Sequence, residues 1–283
     1  MVVVESPHPF GFKEDIIMFP NKIPSHFRTI KIIKTLISLR DVDIFHEHMM
    51  YGVLDKVLRL RNTNAKRIFH YHSSARNQYE PDPPKGMYHA KFVAVPTRLK
   101  VNENSIWIPL PVDTESKKLE SKVEKNEVIV GIGSDFSDHT KGKFLRIDLV
   151  NKAIKNLQNK GHKIKTLEFK GYKHDDVLDY WKKIDIWLDR FHLGFYGFTT
   201  PEAASCNIPI LCEIDEDMEQ YVPSCPFLST KPTIESIESN LEYLLSHSNR
   251  EQLGKKCREY AIQKHDIVKV AEKCLNEYKR ILN

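Results

Sequence analysis

Residues 194–213 read Gly-Phe-Tyr-Gly-Phe-Thr-Thr-Pro-Glu-Ala-Ala-Ser-Cys-Asn-Ile-Pro-Ile-Leu-Cys-Glu, a glycine-bearing loop that runs into a short helix and then an apolar strand. Gly197 has no Cβ, which lets the backbone come close to a ligand, and Pro201 suits the first turn of a helix. The first-turn amides at 199–203 would face an anion with the positive end of the helix dipole behind them. Glu202 is chemically awkward there, because a carboxylate repels a phosphate unless it faces a hydroxyl pair such as that of a ribose. Anion-binding amides beside a diol-binding acid describe a nucleotide site. The plain alternative is a Gly/Pro turn before an ordinary helix with an acid in its first turn.

A second set of reactive side chains lies in the N-terminal half. The short apolar runs 42–45 and 67–71 end in His46-Glu47-His48 and His72-Ser73-Ser74, so each delivers polar groups at a strand's carboxyl edge, where open α/β sheets bind ligands. His46 and His48, two residues apart, share one strand face and could chelate a metal with Glu47 or His72 as a third ligand. The alternative for all three histidines is a satisfied ring in or beside the core.

The elements that must position these groups follow from hydrophobic period. Strand and helix periods alternate along the chain, the pattern of α/β units around a mostly parallel sheet. Strands are expected at 127–133, 164–169, 186–189 and 208–212. Helices are expected at 143–158, 175–184, 233–245, 248–264 and 266–282, with Ser248 and Glu251 forming a capping box for the fourth. Residues 114–126 are mostly Lys, Glu and Ser and read as an exposed linker, which places a domain boundary near residue 113.

A chain of 283 residues with 41% apolar and 29% charged residues can bury a substantial core and suggests two domains. No apolar stretch approaches the roughly 18 residues that span a bilayer, and Met-Val-Val-Val-Glu-Ser is too short for a signal sequence, so a cytoplasmic location is expected. Cys206, Cys212, Cys225, Cys257 and Cys274 are scattered without a Cys-x-x-Cys pair, which argues against a disulfide framework or a structural zinc site. Net charge is a modest +5. Lys56, Arg59, Arg61, Lys66 and Arg67 cluster, which reads as a solvated helix face or as a patch for an anionic membrane or lipid-linked acceptor. Without interleaved aromatics the cluster does not describe a nucleic-acid groove.

Tyr196-Gly197 and the run Glu202-Ala203-Ala204-Ser205-Cys206-Asn207-Ile208-Pro209-Ile210-Leu211 resemble the donor segment of GT-B glycosyltransferases, specifically the large retaining family 4, or glycosyl transferases group 1 type. There a Phe/Tyr-Gly loop leads into Glu-Ala-Met-Ala-x-Gly-x-Pro-Val-Ile. Asp43-Ile44-Phe45-His46-Glu47-His48 resembles that family's Asp-Val-Val-His-x-His strand, and Ile68-Phe69-His70-Tyr71-His72-Ser73-Ser74 its Thr-x-His-Gly/Thr segment. Ile108-Pro109-Leu110-Pro111-Val112-Asp113 is similar to its Ile-Pro-Asn-Gly/Pro-Val-Asp, and strand 127–133 followed by His139-Thr140-Lys141-Gly142 to the opening of its second domain.

The resemblance implies an α/β fold of GT-B architecture, two Rossmann-like domains with parallel sheets facing a cleft. These would be a shortened acceptor-side domain at 1–113, a linker at 114–126, a nucleotide-sugar domain at 127–265 and a C-terminal helix at 266–283 packing back toward the first domain. It further implies retaining, metal-independent hexosyl transfer from a nucleotide-diphosphate sugar, with a UDP-sugar favoured and no cofactor. The acceptor would be a glycan, a lipid-linked group or a small molecule, with peripheral contact at an anionic inner membrane face as one setting. His72, Lys141 and Glu202 take the catalytic positions, facing the sugar, the diphosphate and the ribose. Gly133, His139, Asp189, Gly194, Tyr196, Gly197, Phe198, Thr199 and Thr200 complete the donor set, and His46, His48 and Arg76 lie on the acceptor side.

Three features depart from the family pattern. Gly194 stands where the family has a first Glu, which leaves Asp189 or His192 to supply that polar contact. The Arg that joins the lysine on the diphosphate is missing unless His139, Lys143 or Arg146 replaces it, and the glycine-rich first loop is not found. A catalytically reduced GT-B protein that binds a nucleotide sugar or scaffolds a partner is therefore the alternative, with an epimerase or phosphorylase as a third possibility.

Overall fold

The structure is a computed structural model that describes residues 2–4, 16–18, 42–48, 64–72, 82–83, 85–102, 104–117, 119, 126–133, 146–169, 176–191 and 193–283. Among these residues the strands form three sheets, and every pairing in them is parallel. The smallest joins β1 (Val2–Val4) to β2 (Ile16–Met18). The N-terminal sheet runs in chain order: β3 (Ile44–His48), β4 (Lys66–Tyr71), β5 (Ala90–Val93) and β6 (Ser105–Trp107).

The C-terminal sheet contains β7 (Val128–Ile132), β8 (Ile164–Glu168), β9 (Ile186–Leu188), β10 (Ile210–Cys212) and β11 (Leu228–Ser229). Its order is β11-β10-β9-β7-β8, so the chain steps from β7 to one side and then returns across it to build the other. Strands buried on both faces need helices on both faces, and this chain supplies them. On one face Val128, Val130 and Ile132 pack with Val150, Ala153, Ile154 and Leu157 of α1 (Ile147–Asn159) and Ile237, Leu241 and Leu244 of α4 (Ile234–Leu244). The other face holds Tyr180 and Trp181 of α2 (Val177–Trp181), Ala203 and Ala204 of α3 (Thr200–Ser205), and Cys257 and Tyr260 of α5 (His247–Lys264). Gly131 is required in β7, because a Cβ there would lie 2.5 Å from Ile184 Cδ1 and 2.8 Å from the Tyr180 hydroxyl.

The expected elements of the C-terminal half are present with shorter ends, and two details differ. α5 begins at His247 behind Ser246, so Ser248 lies inside the first turn and the expected capping box with Glu251 does not form. α2 ends at Trp181, and residues 182 and 183 form a turn. In the N-terminal half β3 continues through His46-Glu47-His48, which places these residues within the strand rather than at its exit. Lys66 and Arg67 belong to β4, not to a solvated helix face. Arg67 Nη2 donates to Glu47 Oε1 at 2.8 Å and its guanidinium lies 4.8 Å above the Tyr88 ring. Lys56, Arg59 and Arg61 lie outside the described residues.

The chain crosses between the two large sheets twice, side by side. Val112 pairs in parallel with Asp266, and its N–H donates to the His265 carbonyl at 2.7 Å while its own carbonyl accepts from Ile267 N–H at 2.9 Å. Thr114 Oγ1 donates to Asp266 Oδ2 at 2.6 Å. Asp266 also caps α6 (Ile267–Leu282), accepting from the Val268 and Lys269 amides. Val270, Cys274, Tyr278 and Ile281 recur at helical spacing along α6 and pack on Ile68, Phe92 and Ile108, so the last helix covers one face of the N-terminal sheet.

His265, buried at the crossing, is held on both ring nitrogens. Nδ1 donates to the Leu110 carbonyl at 2.9 Å, and Nε2 therefore accepts from the Tyr196 hydroxyl at 2.7 Å. Burial pushes its pKa from 6.5 down to about 4, so the neutral ring is the folded form at neutral pH. A depressed histidine pKa stabilises the fold above the unfolded value, and that contribution is lost as pH falls from about 6.5 toward 4. Replacing His265 by Phe removes both bonds and should cost about 2–4 kcal/mol at pH 7. It should also flatten part of the acid dependence between pH 6.5 and 4. Urea denaturation of both proteins at several pH values checks this, and an unchanged slope in the variant would refute it.

Candidate functional site

The reversal of strand order in the C-terminal sheet puts a topological switch point at the carboxyl ends of β7 and β9, the position at which doubly wound sheets form the crevice that takes their ligands. Gly133 follows β7 directly, and Asp189 follows β9 and opens the loop that leads to α3.

Asp189 is 3% exposed and organises that loop. Its Oδ2 accepts the Gly197 N–H and the Thr200 hydroxyl, and Thr200 Oγ1 in turn accepts from Trp187 Nε1 at 3.1 Å. A carboxylate that receives a backbone N–H and a hydroxyl is well satisfied without a counter-ion. Gly197 leaves room for this clasp, because a Cβ there would sit a tight 3.2 Å from Asp189 Oδ1 and 3.1 Å from Arg190 Nε, side chains that would have to give by a few tenths of an ångström. The glycine thus admits the loop's own polar groups, and its amide is committed to Asp189. Tyr196 is buried, with its hydroxyl bonded to His265 and, at 3.1 Å, to the Tyr260 hydroxyl. Phe198 is 43% exposed at the loop tip, and Thr199 is the N-cap residue of α3.

Glu202 stands in the first turn of α3, half-buried, with Lys117 Nζ 3.8 Å from its Oε2. The lysine comes from the segment leaving the interdomain crossing, which is itself fastened to the C-terminal half. Arg258 Nη1 donates to the Thr114 carbonyl at 3.1 Å, and Asn207 Nδ2 to the Leu119 carbonyl at 3.0 Å. At this separation the pair is loose, so the acid keeps capacity to accept from other donors.

Gly194 has φ of +72°, the left-handed region that favours glycine, and a Cβ there would collide with the Asp215 carboxylate. Gly194 N–H donates to Glu213 Oε2 at 3.2 Å and its carbonyl accepts from Asp215 N–H at 3.1 Å. Two acids from the loop after β10 therefore occupy the surroundings of the position where a glutamate was missing. Lys100, at the end of the 3-10 turn Pro96–Lys100 in the N-terminal half, reaches this loop and donates to Asp215 Oδ2 at 2.9 Å and to Asp217 Oδ1. Burial alone would lower its pKa, but the two carboxylates outweigh that effect and raise it. Sequence reasoning missed Lys100, Lys117, Glu213 and Asp215. The acid-rich run Glu213-Ile-Asp215-Glu-Asp217 directly after a buried strand was the available signal.

On the N-terminal sheet, parallel register places His48 beside His70, and alternation puts His46, His48, His70 and His72 on one face. His46 Nε2 meets His70 Nδ1 at 3.2 Å, and His48 Nδ1 meets His72 Nε2 at 2.7 Å. Burial, reinforced by the neighbouring imidazoles, pulls the pKa of His46 to about 3 and of His70 to about 2; His48 has an exposed edge, but loss of solvent on its inner side and the His72 ring pull it to about 4, so these rings are neutral at physiological pH. Glu47 points to the opposite face, toward Arg67 and Tyr88. It is therefore no partner for these histidines. Arg146 precedes α1 and pairs with Asp148 at 3.4 Å. His139, Lys141, Lys143, His192 and Arg76 lie outside the described residues.

No protein-family model and no curated protein sequence matches the chain. Solved structures do. A glycosyltransferase from Rickettsia africae superposes with a TM-score of 0.64 at 15% identity, over 95% of this chain and 86% of its own. Anabaena HepE, crystallised with UDP, gives 0.64 at 12% identity over 99% of this chain and 100% of its own. Sucrose-phosphate synthase from Thermosynechococcus elongatus gives 0.62 at 14% identity over 92% and 80%. The chain has the GT-B fold.

The Asp189 clasp makes a direct prediction. Asp189→Ala leaves the Gly197 amide and the Thr200 hydroxyl without their acceptor and should lower stability by about 2–4 kcal/mol. Chemical denaturation measures the loss, and a change below about 0.5 kcal/mol would show that the clasp does not hold the loop.

Proposed function

We propose that this chain is a glycosyltransferase that moves a sugar, with retention of configuration, from a nucleotide-diphosphate sugar to a hydroxyl acceptor. The supporting observation is the likeness over nearly the whole chain to HepE, crystallised with UDP, combined with the crevice at the β7/β9 switch point bordered by Gly133 and the loop to α3. A UDP-sugar is the favoured donor, bound without a metal.

In this reading Glu202 accepts hydrogen bonds from the ribose hydroxyls, and Lys117 yields or shares the carboxylate when the nucleotide arrives. Lys141, with backbone amides early in α3, holds the diphosphate. A lysine ammonium there offsets the charge that develops as the glycosidic bond breaks. His72, with His46, His48 and Arg76 on the acceptor side, reaches the transferred sugar from the N-terminal half. The leaving phosphate takes the acceptor proton on the same face of the sugar, so positioning and electrostatics supply most of the rate. Closure of the two halves about the crossing would assemble the site.

A nucleotide-sugar-binding or scaffold subunit is the second reading. It is favoured by Gly194, which carries no side chain, and by the lysine that stands 3.8 Å from Glu202.

Incubation with UDP-, GDP- and ADP-sugars, following nucleotide release with and without candidate acceptors, separates the two. A transferase releases nucleotide. Glu202→Ala should then lose about 10–100-fold in kcat/KM and Lys141→Ala about 100-fold or more. Tight nucleotide-sugar binding without release on any acceptor would refute the transferase reading, and nucleotide release with phosphate or water alone would point to a phosphorylase or epimerase.

A further inference from the structure

We propose that His46, His48 and His70 form a binding site for one divalent transition-metal ion of the zinc class on the N-terminal sheet. Their candidate ligand nitrogens all lie within 4.8 Å of one another. Two come from one strand and the third from its hydrogen-bonded neighbour, so the sheet itself fixes their convergence. Tetrahedral zinc with bonds of 2.0–2.1 Å needs ligand nitrogens about 3.3 Å apart. Binding requires the rings to tilt out of their stacked arrangement so that their in-plane lone pairs converge.

The rings on this face bond to one another and to Tyr278, and one buried nitrogen among them is left over. The His70 ring is 6% exposed, and its Nε2 has no hydrogen-bond partner among the described residues. The rings of His46 and His48 stack at 4.4 Å and those of His46 and His70 at 5.2 Å, and the nearest strand carboxylate, Glu47, faces the other way. Neutral imidazoles bring one lone pair each, and a cation accepts several at once. An all-imidazole set selects zinc, copper or nickel over magnesium or calcium.

An outer-shell partner is in place as well. Tyr278 Oη lies 2.5 Å from His46 Nδ1, which orients the ring so that Nε2 turns toward His70. Tyr278 belongs to α6, the helix that packs on this sheet. A bound ion would therefore fasten β3 and β4 to each other and the C-terminal helix to both. His72, on the same face, bonds His48 through its Nε2 at 2.7 Å. The site shares His46 and His48 with the acceptor side of the transferase reading, and metal titration tests it separately from nucleotide release.

The full chain, stripped with a chelator and dialysed, is titrated with Zn²⁺ by calorimetry and with Co²⁺ by visible absorption. One ion per chain with a micromolar or tighter Kd, the intense bands of tetrahedral Co²⁺, and a melting temperature raised by Zn²⁺ but not by Mg²⁺ are expected. His48→Gln, at an exposed ring, should weaken Zn²⁺ binding about 100-fold, His70→Asn at least as much, and Tyr278→Phe about 10-fold. His162→Gln, a half-buried histidine between α1 and β8, should leave binding unchanged. Absence of a stoichiometric ion in the wild type would overturn the proposal. So would affinity retained within about threefold in His48→Gln shown to be folded by circular dichroism, which decides the matter even if His70→Asn fails to fold.

Discussion

The imidazole of His265 holds together three parts of the chain that are far apart in sequence. It donates to Leu110 at the end of the N-terminal sheet and accepts from Tyr196 in the loop before α3, and its backbone pairs with Val112. Every group proposed to grip the nucleotide through that loop is indexed to the N-terminal half through this ring. Its burial makes the arrangement selective: a neutral ring with Nδ1 protonated satisfies both neighbours, and a charged ring would have no acceptor left for Tyr196.

The loop before α3 shows how local charge can be redistributed while a fold is kept. Where the resembled family has a glutamate this chain has a glycine, and the acidity around it comes from Glu213 and Asp215 on the following loop. Asp215 is in turn neutralised by Lys100 from the other half of the molecule. Asp189, which the sequence suggested as a ligand contact, holds its own loop through Oδ2. Acids near a nucleotide site need such partners, because an unpaired buried carboxylate would oppose both folding and the binding of an anion.

Much of this was legible in the chain itself. The alternation of apolar periods gave the strands and helices of the C-terminal half, since buried parallel strands and amphipathic helices leave strong one-dimensional signals. Tertiary pairing leaves none. Nothing adjacent to Glu202 announces Lys117, and nothing adjacent to Asp215 announces Lys100, because both contacts join segments that the fold alone brings together. The histidine face was half visible. Two-residue spacing put His46 with His48, but the register that sets His70 beside them exists only once β3 and β4 are paired. Arg67 was misread as solvated because a basic run looks alike on a helix surface and on a strand whose cation is buried against Glu47.

The doubled crossing at Val112 and Asp266 has a mechanical consequence. Two covalent strands that run side by side and share backbone hydrogen bonds behave as a strap rather than a string: they bend about one axis and resist torsion. Any opening of the halves about such a strap would keep their faces in angular register, and it would first have to release Lys100 from Asp215.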